Sequence, residues 1–201
     1  MNSIFVAVWH RPYLILALLI GAYAIYKLAK NGKAGQDPVM ALLAALPGNE
    51  YTVLSDVMIK SHTGASHMDH IVVSTHGVFV VDVQRYCGEI AGKDTDQYWT
   101  CSGNGAKCRF FNPIRQNHSH LKALEMALET AGRVPLIPVV VFPRGCVFKS
   151  KPLGVLYDDE LPAKILSYSK NTVTKAQVEV IAAILERANI KSPEERMHYA
   201  G

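Results

Sequence analysis

Apolar and polar positions follow three regimes along the chain. From Pro12 to Ala29 the run is apolar on every side, and Lys27 is its one charged residue. From Tyr51 onward apolar and polar positions alternate, the period of a half-buried strand. Later segments repeat apolar residues three and four apart, as in a helix with one buried face. These regimes predict an element order. Asp37-Pro38 reads as an N-cap and first helical position, with Val39 to Leu46 a short apolar helix ended by Pro47-Gly48. Strands follow at Tyr51–Lys60 and Asp69–Ser74, separated by a polar loop from Ser61 to His67. His76-Gly77 turns the second strand into a third, Val78–Gln84, as a hairpin. Shorter strands near 89–92, 98–101 and 109–111 extend the sheet. Asn112-Pro113 opens a helix to about Thr130, whose Leu121, Leu124 and Leu128 form a core stripe. Leu136–Phe142 is almost continuously apolar, as for a strand buried on both faces. A strand at 154–157 and helices at 160–169 and 174–188 complete an α/β (α+β) domain with a mixed central sheet flanked by helices.

The first regime reads as one transmembrane helix. Eighteen residues, 12–29, extend about 27 Å, enough for a thin or average bilayer. Trp9 and Tyr13 flank one end, Tyr23 and Tyr26 the other, as in aromatic belts. Arg11 stands before the run, while Lys27, Lys30 and Lys33 stand at and after its end. That asymmetry places the C-terminal bulk in the cytoplasm of a bacterial inner membrane, single-pass. Ala22-Tyr23-Ala24 imitates a signal cleavage site, but the first nine residues carry no Lys or Arg. The chain then divides into an extramembrane segment 1–11, the helix 12–29, a linker 30–36, a folded domain 37–189 and a polar, frayed tail 190–201. The net charge of +4 belongs to the N-terminus. Without its four cations, 17 basic side chains face 17 acidic ones, so only local clustering argues for a polyanion partner.

Candidate chemistry sits on the hairpin. Asp69 and Asp82 are nearly symmetric about the His76-Gly77 turn, so antiparallel pairing brings them together. Two carboxylates at a strand end suit Mg²⁺ or Mn²⁺, which take oxygen ligands. Strand-end residues solvated at the sheet margin are the competing reading. Gln84, two residues beyond Asp82, faces the same side. Gln116 and His120 share a helix face at i and i+4. Lys107, Arg109, Arg115 and Lys122 gather around the start of that helix and suit phosphate contacts, or simply solubility. His62, His67, His70, His76, His118 and His120 surround this region and make a zinc site conceivable, but no pair has a ligand spacing such as HExxH. Cys87, Cys101, Cys108 and Cys146 lack any CxxC spacing and are expected as free thiols in the cytoplasm. With the opposite topology, Cys101–Cys108 is the first disulfide to suspect.

Asp69-His70-Ile71-Val72-Val73-Ser74 followed by Gly77-Val78-Phe79-Val80-Val81 resembles the core of the nuclease-related domain (NERD) family. Gly88-Glu89-Ile90-Ala91-Gly92, Tyr98-Trp99, Asn112-Pro113-Ile114-Arg115-Gln116-Asn117 with His120, and Leu136-Ile137-Pro138-Val139-Val140-Val141-Phe142 continue the likeness in order. The resemblance implies a restriction-endonuclease-like fold similar to PD-(D/E)xK nucleases and metal-dependent phosphodiester hydrolysis. It implies Asp69 as a metal ligand, a second acid at Asp82, and a charge-stabilising side chain at Gln84. It also puts Gln116 at the site, against phosphate or the ligands. The chain departs from the family at Gln36, where Glu is usual, and at Asp82-Val83-Gln84, where Glu-x-Lys is usual. Asp37 stands beside Gln36 as a substitute third acid. Two functions follow: a membrane-tethered Mg²⁺-dependent nuclease acting on DNA, or an inactive nuclease fold that binds a protein partner or DNA at the membrane. The latter would suit defence, or exclusion of incoming DNA in plasmid conjugation.

Overall fold

The computed structural model describes residues 38–62, 64–103 and 105–199. The expected transmembrane helix 12–29, the linker, Gln36 and Asp37 lie outside the described residues. Among the described residues, no helix is long and apolar enough to cross a membrane.

The described unit is a mixed α/β domain built on two mixed sheets flanked by helices. Helix α1 (Pro38–Ala44) precedes strands β1 (Tyr51–Ser61), β2 (Gly64–Ser74) and β3 (Gly77–Val83), an antiparallel meander. After β4 (Gly88–Ala91), β5 (Tyr98–Gly103) and β6 (Ala106–Phe111) comes helix α2 (Pro113–Ala127), followed by a 3-10 turn at Glu129–Ala131. Strand β7 (Leu136–Phe142) then pairs parallel with β3, and β9 (Val155–Tyr157) parallel with β7. The first sheet therefore runs β1-β2-β3-β7-β9. Its two faces bury different clusters. Val57, Ile71, Val73, Val78 and Val80 pack beneath Leu124 of α2 and Ile181 and Leu185 of α4 (Lys175–Ala188). Val72, Phe79, Val81, Val139 and Val141 face Leu43 of α1 and Leu161 and Ile165 of α3 (Leu161–Leu166). Covering both faces explains the uninterrupted apolar runs in β3 and β7.

Several expectations change. Strands β4, β5 and β6 do not extend the central sheet. With β8 (Cys146–Phe148) they form a second sheet, β6-β5-β4-β8, which packs Ile90, Trp99 and Phe110 on Val140 and Phe142. The polar loop expected at 61–67 is mostly strand, because Ser66 and Met68 bury alternate positions of β2. Asp69 consequently lies inside β2 rather than at its start. The tail is not simply frayed. It carries α5 (Pro193–Tyr199), pinned by Arg196, which donates to the Asp56 carboxylate at 2.6 Å and to the Ile190 carbonyl at 2.6 Å.

Two local devices shape the region around the site. Gly77 has φ 137°, and a Cβ there would meet the Pro135 carbonyl oxygen at 2.9 Å, so the β2–β3 turn requires glycine. Asp56 is left-handed at φ 54°, and the β1–β2 ladder skips the step where Asp56 faces Asp69. Odd-numbered residues of β1 change sides at that break. Tyr51 packs with one cluster, whereas Val57 and Ile59 pack with the other.

Candidate active site

Strand alternation points Val78, Val80 and Asp82 to one side of β3. The two valines lie under α2, which sets the Asp82 carboxylate against the same helix. Helix α2 starts where the sequence indicates. The Asn112 side chain accepts the Ile114 N–H at 2.9 Å and donates to the carbonyls of Lys93, Asp94 and Asp96. This anchored first turn fixes which residues of α2 reach the sheet. Asn117 is fully buried, and its amide donates to Val80 O at 2.9 Å and Val139 O at 3.2 Å, clamping β3 to β7. One turn along, His120 Nδ1 lies 3.0 Å from Asp82 Oδ1 and 2.9 Å from Oδ2. Only the Oδ1 approach has hydrogen-bond geometry, so Oδ2 is buried without a donor, as is Asn117 Oδ1.

Asp82 is 3% exposed. Burial pushes its carboxyl above the usual carboxylate range; the His120 contact opposes the shift and the neighbouring Asp69 charge adds to it. Asp69 is one step beyond the last paired residues, His70 and Val81, so the two acids are adjacent as the turn symmetry predicts. Its Oδ2 accepts the Val83 N–H at 2.8 Å, which orients the half-buried carboxylate toward the end of β3. Gln84 N donates to Val141 O at 2.7 Å, carrying the β3–β7 pairing one residue further and holding the Gln84 side chain at the same mouth.

Together these groups line one open cleft of about 470 Å³, formed by His67, Asp69, Asp82, Val83, Gln84, Arg85, Tyr86, Gln116 and His120. Asp69, Asp82, Gln84 and Gln116, all singled out from sequence, meet there. The basic residues do not. Lys122 lines an adjoining groove of about 540 Å³ that shares His67, Gln116 and His120 with the cleft. Arg115 donates to Thr95 O at 2.9 Å. Arg109 stacks on the Tyr98 ring at 4.0 Å, and Lys107 lies further along the same exposed strand. Sequence reasoning placed His120 on the correct face but missed it as the partner of Asp82, gave His67 and Asn117 no role of their own, and missed Tyr86. A buried His and Asn three apart on a helix, facing a strand with one acid, was the available signal. Among the described residues, no group of three or more His, Cys, Asp or Glu is placed to hold a metal. What the cleft offers is a pair of carboxylates with one orphaned oxygen.

The family model described as Nuclease-related domain, NERD, matches residues 31–143. An uncharacterized protein of Bacillus anthracis, pXO1-01, is 34% identical over 195 residues, covering 92% of this chain and 91% of its own length.

Proposed function

The chain belongs to the nuclease-related domain family, and from that premise we propose that it is a Mg²⁺- or Mn²⁺-dependent nuclease acting on DNA at a bacterial inner membrane. The observation that carries this reading is the meeting of Asp69, Asp82, Gln84 and Gln116 in one cleft. An acid at the end of a central strand, with parallel β7 beside it and α2 above, supports similarity to the PD-(D/E)xK fold. The donor chemistry fits a hard divalent cation. Asp82 Oδ2 is buried without a donor, and Asp69 stands next to it. A bound ion there would lower the pKa of a water and neutralise charge on the scissile phosphate.

The chain's own groups have separate tasks. His120, donating from Nδ1 to Asp82 Oδ1, holds that carboxylate in one orientation. The Val83 N–H does the same for Asp69. The amides of Gln84 and Gln116 are neutral hydrogen-bond donors suited to positioning a phosphate oxygen. Gln84 supplies no cation, so this site stabilises developing phosphate charge less than the family's usual Lys would. The membrane location rests on the apolar run 12–29 and its lysine asymmetry.

Nicking of supercoiled plasmid by the full chain tests the reading. Mn²⁺-dependent nicking that Asp69→Asn and Asp82→Asn each lower by at least about 10²-fold is expected. No nicking by wild-type protein at millimolar Mn²⁺, with DNA or protein binding retained, would make the domain a binding module instead.

A further inference from the structure

Four cysteines scattered through the sequence converge on the second sheet. Cys101 in β5 lies directly opposite Cys108 in β6 in the antiparallel ladder. Residues so placed have Cα atoms about 4.5–5.5 Å apart, inside the roughly 4.4–6.8 Å range that a disulfide spans without backbone movement. Cys101 and Cys146 are buried, whereas Cys87 and Cys108 are exposed. Cys101 Sγ donates to the Cys87 carbonyl at 2.8 Å, and Cys146 Sγ to the Tyr86 carbonyl at 2.6 Å. The two buried thiols thereby hold the chain just after Gln84 and Arg85, where it forms one wall of the cleft. Burial first, then contact with Cys108, raises the Cys101 thiol above its ordinary pKa; burial pushes Cys146 up to about 11.

We infer that Cys101 and Cys108 form a reversible oxidation site whose co-substrate is a low-molecular-weight disulfide such as oxidised glutathione. The Cys108 thiol loses its proton to solvent, and its sulfur attacks one sulfur of the external disulfide. That S–S bond breaks, and one external thiol leaves after taking up a proton. Cys101 then gives its proton to solvent, and its sulfur displaces the second external thiol from Cys108. Two protein thiols become one cross-strand disulfide, and one external disulfide becomes two thiols. The order follows from exposure. Solvent reaches Cys108, whereas buried Cys101 meets only a sulfur already delivered to the neighbouring strand. Oxidation also withdraws the Cys101 S–H from the Cys87 carbonyl, so one of the two thiol contacts behind the cleft wall is lost. The inference does not depend on the nuclease reading.

The full chain, reduced and then incubated with oxidised glutathione, is quenched in acid, digested and analysed by mass spectrometry. A Cys101–Cys108 cross-link reversible by dithiothreitol is expected, at least tenfold more abundant than any link to Cys87 or Cys146. Cys101→Ser keeps a hydroxyl to donate to Cys87 and should trap a lasting glutathione adduct on Cys108. Cys108→Ser should leave Cys101 unmodified. A wild-type chain that retains glutathione on Cys108 without closing the link overturns the inference. So does a dominant Cys87–Cys101 link, or no reaction at all.

Discussion

Asp82 shows how one side chain serves two ends at once. Its burial under α2 leaves Oδ2 beside His120 but without a formed hydrogen bond, and the same burial makes its ionisation costly. Because the folded-state pKa is raised, the stabilisation from Asp82 is full below the ordinary carboxylate pKa and is lost as pH rises through the raised value. Asp82→Asn removes that dependence. Melting curves between pH 3 and 8 should therefore show the variant gaining on wild type as pH rises, with the advantage largest at neutral pH. A difference that stays constant with pH would mean that Asp82 does not ionise at a cost. The same variant should lose about 10²–10³-fold in DNA cleavage, the scale of removing one positioned electrostatic contact. In wild type, Mn²⁺ at about ten times its Kd should stabilise the domain by roughly 1.4 kcal/mol, read as a higher melting temperature. Asp69→Asn should abolish that shift. At the neighbouring position, Gln84→Lys adds a cation beside Asp82, in a cleft that already has Arg85 on its wall. We expect cleavage to rise about tenfold, worth roughly 1.4 kcal/mol of barrier, and not to rise in an Asp82→Asn background.

At the scale of elements, helix α2 is where sequence and structure agree best, because its start is written locally. Asn112-Pro113 is a cap and a first position whatever surrounds them, and the observed cap bonds are those the pair implies. What α2 does once placed was not legible. Asn117 looks like an unremarkable polar residue in sequence, yet it ties two strands by their carbonyls. Asn117→Leu keeps the branching of the side chain, in a somewhat larger volume, and deletes both bonds. It should cost about 1–3 kcal/mol in chemical denaturation, since two buried carbonyls lose a partner. The N-terminal half of β2 and all of β8 were missed for opposite reasons. Ser66 and His67 alternate correctly in β2 but are polar, while β8 is three residues long with Val147 mostly exposed. In the sequence, Gly92 is one residue of the Gly88–Gly92 motif. Its reason is Trp99, whose ring a Cβ at this position would strike.

At the scale of the whole molecule, local pattern located most strands but could not assign them to sheets. Nothing near β4 says that it pairs with β8 rather than with the central sheet, because that pairing joins residues 88–90 to residues 146–148. The acid pair was legible, since a single tight turn relates Asp69 to Asp82. The basic contacts were not, because proximity along the chain to the α2 start does not decide which face of a hairpin a side chain takes. The N-terminal run gives a prediction at this scale. The full chain should sediment with membranes, resist extraction by high salt or carbonate, and be released by detergent. A C-terminal alkaline phosphatase fusion should be inactive and a green fluorescent fusion bright, as the lysine asymmetry requires.

The parallel pairing of β3 with β7 also sets an order of events in time. Strands β1 to β3 join through tight turns and can zip as soon as they leave the ribosome. Strand β7 follows only after residues 84–135, and closing so distant a contact is the slow step of such topologies. His120 arrives within that same delayed stretch. A nascent chain therefore shows Asp69 and Asp82 side by side in water, unshielded by any helix, well before it owns a cleft. The nuclease activity proposed above would then begin late and all at once, when β7 slots in beside β3.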